Sequence, residues 1–137
     1  MSQSSSLVRG WSIEGYRRFW AAPDRSLLPA VSALCADDIV GHWPKPLGRV
    51  VGRTPYVGFI EALIAACPDL SLTADEYACA GDLHFVRWVA TGAGPDGRRF
   101  EIDGIDRVKT LPDGRVAENY ICSDGELFAW AAAHLAA

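Results

Sequence analysis

The sequence predicts an α+β fold, an antiparallel sheet with helices packed over one of its faces. Three observations point to it. Helical spacing of apolar residues dominates the first half of the chain. Strand-type runs crowd the second half, and two of them flank Pro112-Asp113-Gly114, a turn sequence that joins antiparallel neighbours. Helices gathered ahead of strands, rather than alternating with them, mark α+β architecture. If the sheet curves, helices over its concave side leave a space between the layers, and such concave apolar spaces are where small ligands bind. With 137 residues, half of them apolar, the chain is sized for one domain that buries roughly two-thirds of its unfolded surface.

The start, Met1-Ser2-Gln3-Ser4-Ser5-Ser6, lacks the basic head and apolar stretch of a secretory signal. Residues 1–10 are expected to be a disordered polar tail and residues 11–137 a single domain. Ile13, Tyr16, Phe19 and Trp20 recur at helical spacing over residues 12–21, and Pro23-Asp24 breaks the pattern. Asp24 or Ser26 caps a second helical stretch through Leu27, Leu28, Val31, Leu34 and Cys35, with Pro29 in its first turn, where a missing N–H costs little. Ala36-Asp37-Asp38 ends it, and Ile39 to Trp43 reads as a short strand. Pro44 and Pro46 impose an irregular loop to Gly52.

Thr54-Pro55 is a helix start, and Tyr56, Phe59, Ile60, Leu63, Ile64 and Cys67 continue it until Pro68. Two strands follow, Leu70 to Ala78 and His84 to Thr91. In the second, Phe85, Arg87, Val89 and Thr91 share one face and Val86, Trp88 and Ala90 the other. Gly92 to Gly97 forms a turn ahead of the hairpin built on Arg98–Lys109 and Arg115–Ser123. Ser123-x-x-Glu126 fits a capping box, so a helix through Leu127, Trp130 and Leu135 closes the chain.

The charge balance, 13 basic against 17 acidic residues with both signs interspersed, offers no basic stripe to nucleic acid. No apolar run approaches the roughly 18 residues of a membrane span. Cys35, Cys67, Cys79 and Cys122 are far apart with apolar neighbours and no C-x-x-C spacing. They read as buried free thiols of a cytoplasmic protein, with no metal site.

Alternation places Asp106 on the face of Phe100, Ile102 and Val108, so this acid shares its side of the strand with apolar residues. It either lines a pocket, as a donor or orienting partner, or is salt-bridged to Arg87. Arg87 reads as its partner rather than as an independent anion site. His42 suits proton shuttling, its ordinary pKa lying near neutrality; the competing reading is a histidine satisfied by a backbone carbonyl. Asn119, in phase with Ile121 and Ser123, is either a hydrogen-bonding group of the pocket or a surface amide. Tyr16, Trp20, Trp43 and Phe59 are either a ligand cage or ordinary core.

Several words in fixed order carry a resemblance: Ala36-Asp37-Asp38-Ile39-Val40; Gly52-Arg53; Cys67-Pro68-Asp69-Leu70; Val86-Arg87-Trp88-x-Ala90-Thr91-Gly92; Gly97-Arg98-Arg99; Gly104-Ile105-Asp106 through Asp113-Gly114-Arg115-Val116; and Tyr120-x-x-x-Asp124. In these the chain resembles the nuclear transport factor 2-like superfamily, and within it the SnoaL-like polyketide cyclase and ester cyclase branch. The resemblance implies a cone-shaped fold, often a homodimer, whose cavity hosts isomerases, cyclases, epoxide hydrolases and non-catalytic binders. It fixes architecture better than reaction. In its place on the strand Asp106 resembles the cavity acid with which ketosteroid isomerases donate to the substrate oxygen. With a one-residue slip before Pro44, His42 falls near that enzyme's general base, and Tyr16 stands for its phenol. The paired acids of limonene epoxide hydrolases, which the chain resembles at Arg87, would fall near Val89 and Ile121. Both are apolar here, so an epoxide-opening pair is not expected. The Gly92–Gly97 loop is also shorter than is usual among the cyclases.

The expected activity is therefore cofactor-independent acid–base chemistry, an isomerisation or cyclisation of an apolar cyclic carbonyl compound. His42 moves the proton, Asp106 steadies the oxyanion, and Tyr16, Trp20, Trp43, Phe59, Arg87 and Asn119 bind substrate. The expected partners are a small apolar molecule and a second copy of the chain. The alternative is a non-catalytic hydrophobic-ligand-binding domain or a dimeric interaction domain of the same fold.

Overall fold

A computed structural model describes residues 10–137, so the expected tail lies outside the described residues apart from Gly10. Its elements are α1 (Ile13–Ala21), a 3-10 turn (Arg25–Leu27), α2 (Leu28–Ala33), β1 (Cys35–Trp43), β2 (Gly48–Val51), α3 (Arg53–Ala66), β3 (Ser71–Ala80), β4 (Leu83–Ala93), β5 (Arg99–Thr110), β6 (Val116–Cys122) and α4 (Leu127–Ala136). The six strands form one curved, unclosed sheet in the order β2-β1-β6-β5-β4-β3. Helices α1, α3 and α4 cover its concave face, and α3 packs against both β1 and α4. Among the described residues no helix is long and apolar enough to cross a membrane.

The predicted elements form, with informative differences. Ser12 caps α1, its hydroxyl accepting the Gly15 N–H at 3.0 Å, and Asp24 caps the 3-10 turn through Ser26 N–H at 2.9 Å. The second helix stops at Ala33 instead of Cys35, because the chain is drawn into the sheet there. Leu34 C=O accepts from Val116 N–H, and Cys35 already pairs with Val116. Asp37 and Asp38 consequently lie inside β1, both exposed, across an irregularity in the β1–β6 register. The loop before Gly52 contains the short strand β2, antiparallel to β1.

Helix α3 begins at Arg53, one residue ahead of the Thr54-Pro55 pair. Gly52, at φ 106°, occupies the cap position in a conformation closed to most L-residues. The capping box before α4 does not form; Ser123 Oγ instead donates to Asp103 C=O at 2.8 Å, tying β6 to β5. All four cysteines are free, but Cys79 and Cys122 are exposed rather than buried.

Four of the five strand pairings are antiparallel; β1 and β6 run parallel. That pairing escapes local sequence signals because β6 reaches β1 only after the β3–β6 meander, and parallel neighbours require such long connections. It closes the floor of the cone and places Asn119 beside Gly41.

Inward-facing Val86, Trp88 and Ala90 of β4 meet Val108 of β5 and Ile121 of β6 in the core. Gly104 lies opposite Trp88 in the β4–β5 pairing. A Cβ there would sit 2.3 Å from Trp88 Cζ2 and 2.6 Å from Cys122 O, so the indole lies flat over the strand only because this position is bare. Gly104→Ala should therefore cost about 1–3 kcal/mol through overpacking, read as a lowered midpoint in thermal or urea unfolding. An unchanged midpoint would show that the indole does not depend on this gap.

Candidate active site

The concave face and the helices above it enclose a mostly apolar cavity of about 1100 Å³. Strand β5 carries Asp106 into it. Asp106 is paired with Val86 on one side and Ile121 on the other, and cross-strand partners share a face. Asp106 is 6% exposed. Three donors hold it, each from a different element. Trp88 Nε1 of β4 donates to Oδ1 at 2.9 Å; Tyr16 Oη of α1 and Asn119 Nδ2 of β6 donate to Oδ2 at 3.1 Å and 3.3 Å. Among the described residues no cation pairs with it. Burial pushes its pKa up to about 6, while the hydrogen bonds from Trp88, Asn119 and Tyr16 pull the other way.

The remaining ionisable groups deep in the cavity are held neutral. Burial raises the Tyr16 phenol, with the Asp106 charge adding to it. Burial likewise raises Tyr56, and pushes the Cys35 thiol up to about 11. Glu14 and Arg18 sit at the exposed rim. Asp106 is thus the one buried lining residue, among those described, that changes charge near neutral pH. No cluster of three or more His, Cys, Asp or Glu among the described residues is arranged to hold a metal ion.

Tyr16, Trp20, Trp43 and Asn119 line the cavity with Asp106. Three predicted site residues lie elsewhere. His42 is on the outer face of the sheet, because Ile39, Gly41 and Trp43 take the inward positions of β1. There it bonds Glu118 Oε2 through Nε2 at 2.9 Å and stacks on Tyr120 with ring centroids 3.8 Å apart. It cannot serve as base to anything in the cavity. Arg87 is also on the outer face, paired with Asp75 and Asp103 rather than Asp106, since the β4–β5 register sets Val86 against Asp106. Phe59 does not reach the lining; it packs edge-on against Trp43 with centroids 5.6 Å apart.

Two residues of the polar cluster were not singled out by sequence, Trp88 and Tyr56. Trp88 shares the parity of Val86, so the hairpin register alone would have set it near Asp106. Tyr56 comes from the first turn of α3, and its hydroxyl accepts from Asn119 Nδ2 at 3.1 Å. Only tertiary packing joins it to the cluster.

Solved structures share this architecture. An NTF2-like protein of unknown function from Exiguobacterium sp. 255-15 is 21% identical, with a TM-score of 0.70 over 82% of this chain and 97% of its own. IdmH from Streptomyces antibioticus, assigned as a polyketide cyclase, is 26% identical, with a TM-score of 0.68 over 91% of this chain and 96% of its own. SalBIII, an epoxide hydrolase/cyclase-like enzyme of pyran ring formation in the polyether salinomycin, is 14% identical, with a TM-score of 0.70 over 90% and 92%. Among curated proteins none matches. The model of the SnoaL-like domain matches residues 14–119, and with this cone-shaped, helix-covered sheet the chain belongs to the SnoaL-like family of the nuclear transport factor 2-like superfamily.

Proposed function

We propose that the protein is an enzyme that isomerises or cyclises an apolar carbonyl compound, with Asp106 as the group that moves the proton. The observation that carries this reading is one buried carboxyl group with a pKa of about 6, clasped by three donors in an apolar cavity. In its ionised form Asp106 takes a proton from the carbon next to a substrate carbonyl and leaves an enolate. In an isomerisation the proton returns to a different carbon. In a cyclisation the enolate carbon bonds to a second carbonyl carbon of the same molecule, and the oxygen released from that double bond takes the proton back from Asp106. Either course leaves Asp106 as it began and needs a single acid–base group. The likeness to IdmH and SalBIII supports ring-forming chemistry. The second reading, a carrier of an apolar ligand, draws on His42 lying outside the cavity, which leaves Asp106 without a second proton carrier.

Exchange of substrate hydrogen separates the two. In heavy water, wild-type protein should speed deuterium uptake next to the carbonyl of bicyclic ketones such as 1-tetralone, followed by mass spectrometry. Asp106→Asn should slow that uptake on the order of a hundredfold or more. Equal uptake by both proteins would remove Asp106 from the reaction, and an unaltered apolar ligand co-purifying with an inactive wild type would establish the carrier.

The pH dependence follows from the raised pKa. The exchange rate should climb as pH passes through about 6 and level off above it, because the base form is then filled. Stability runs the other way. The folded protein holds the Asp106 proton more tightly than the unfolded chain, so this group stabilises fully below about pH 4 and the contribution is lost as pH rises through about 6. The loss amounts to about 3 kcal/mol. Urea unfolding of wild type and Asp106→Asn across this window should show the variant gaining stability relative to wild type as pH rises; parallel curves would contradict the burial cost.

A further inference from the structure

Helix α1 carries the Tyr16 donor to Asp106, and the cavity opens along one side of that helix. The exposed residues of the lining are Ser12, Glu14 and Arg18 on one rim and Leu27, Ala30 and Ala33 on the other, so the opening lies between α1 and α2. The packing of α1 is on its opposite side, against β3. Arg17 and Ala21, four residues apart and therefore on one flank of the helix, both bond to that strand, and neither lines the cavity. Arg17 Nε donates to Ala74 C=O at 3.0 Å. Ser71 Oγ donates to Ala21 C=O at 2.8 Å, a carbonyl that the last turn of a helix leaves free.

Two successive residues thus pin the middle of α1 in different directions. Tyr16 bonds inward to Asp106 at 3.1 Å, and Arg17, about 100° further round the helix, bonds sideways to Ala74. Ala74 lies across from Trp88 in the β3–β4 pairing, and Trp88 donates to the other oxygen of Asp106. The contacts close a ring, from Asp106 through Tyr16 and Arg17 of α1 to Ala74 of β3, and back through Trp88 of β4. The β3–β4 register slips just beyond Ala74, so Arg17 takes hold at the last regular pair before the irregularity.

We infer that Arg17 is a positioning residue that seats Tyr16 on Asp106 by clamping α1 to the edge strand β3. Arg17 reaches neither the cavity nor the carboxyl group and acts through Tyr16. Without the clamp α1 keeps the Ser71 tie at its end, while its middle is free to rise toward the opening, and the Tyr16–Asp106 bond is the one that such a rise lengthens. As a statement about catalysis the inference rests on the reading of Asp106 as the group that moves the proton. The seating of Tyr16 is testable without turnover.

The carboxyl carbon-13 signal of Asp106, followed by NMR across its titration in protein labelled at aspartate, reads the Tyr16 bond, because losing a donor to the ionised form raises the midpoint. Arg17→Met keeps the stem of the side chain and removes the donor. Arg17→Gln carries its amide nitrogen where the arginine has Nε. Both variants are uncharged, so what separates them is the hydrogen bond. Arg17→Met should titrate about half a pH unit or more above Arg17→Gln, and its deuterium-exchange profile should move by the same amount. With Tyr16→Phe added to both, the difference should vanish, since the route through the phenol is gone. Equal midpoints in the two variants, or a difference that survives Tyr16→Phe, overturns the inference. Arg17 is exposed, so its variants should fold. If Arg17→Met does not, Arg17→Ala takes its place, and failure of both to fold makes Arg17 a support of the whole domain and overturns the inference too. A difference between the variants in protein that exchanges no ketone upholds the clamp and removes the catalytic reading. Ketone exchange with no such difference overturns the clamp and leaves that reading standing.

Discussion

A carboxyl group carried into an apolar interior must have its oxygens answered by donors, and the packing around this cavity is arranged to answer those of Asp106. No cation does it. Trp88, Tyr16 and Asn119 supply the three hydrogen bonds from β4, α1 and β6, so the acid is satisfied only when the amino-terminal helix and three adjacent strands have come together. Leaving even one buried polar group unpaired costs on the order of 1–3 kcal/mol, a sizeable share of a small domain's net stability. Fold and site are therefore one assembly. Gly104 shows the dependence in miniature: the bare position opposite Trp88 lets the indole cross the strand and reach Asp106, two residues further along.

The same logic shapes the floor of the cavity. The parallel pairing of β1 with β6 brings Asn119 alongside Gly41, where a side chain would collide with Trp43 Nε1 at 2.6 Å and the Tyr56 ring at 2.8 Å. With no side chain at Gly41, those two aromatics settle onto the sheet, and the Tyr56 hydroxyl meets the Asn119 amide. A chain of hydrogen bonds then runs from α3 through β6 to β5, fixing the amide's orientation: Nδ2 must face Asp106 and Tyr56, and Oδ1 is left over.

What the sequence revealed of this follows from how local each signal is. Asp106 was legible because strict alternation within a single strand assigns it to a face, and apolar neighbours of equal parity identify that face as the inner one; Asn119, in phase with one apolar residue and one serine, stayed open between pocket and surface. His42 was misread for want of the same rule. It is next to Trp43 in one strand, and adjacent strand residues point to opposite faces, so the two cannot both enter one cavity. With apolar residues on both parities of Ile39-Val40-Gly41-His42-Trp43, the sequence alone did not say which was inside. The decision is made by β6: in parallel register His42 lies beside Tyr120, and the imidazole is held outside by that ring and by Glu118, whose other oxygen takes Arg107. Arg87 fails similarly, because its partners Asp75 and Asp103 come from the two neighbouring strands and only register reveals them. Tyr56 was legible as a core residue of α3, but nothing within that helix points it at a strand some sixty residues later.

With His42 outside, the proposed reaction would ask Asp106 to be both base and acid, and its surroundings admit both states. A pKa of about 6 keeps the carboxylate dominant at neutral pH with the acid close at hand. Trp88 Nε1 and Asn119 Nδ2 can only donate, so they hold the carboxyl oxygens in either state. Tyr16 is different, for a hydroxyl donates or accepts by rotating one bond. Facing an ionised Oδ2 it donates, as the geometry records. Facing a protonated Oδ2 it accepts, and its own hydrogen is freed to turn toward the cavity it lines. The phenol does not need to ionise for this, which accords with burial and the nearby carboxylate both raising its pKa. In the proposed reaction a proton arriving on Asp106 would thus be matched by a donor released into the cavity, a carboxyl group and a rotating hydroxyl together supplying what a second titrating residue would otherwise provide.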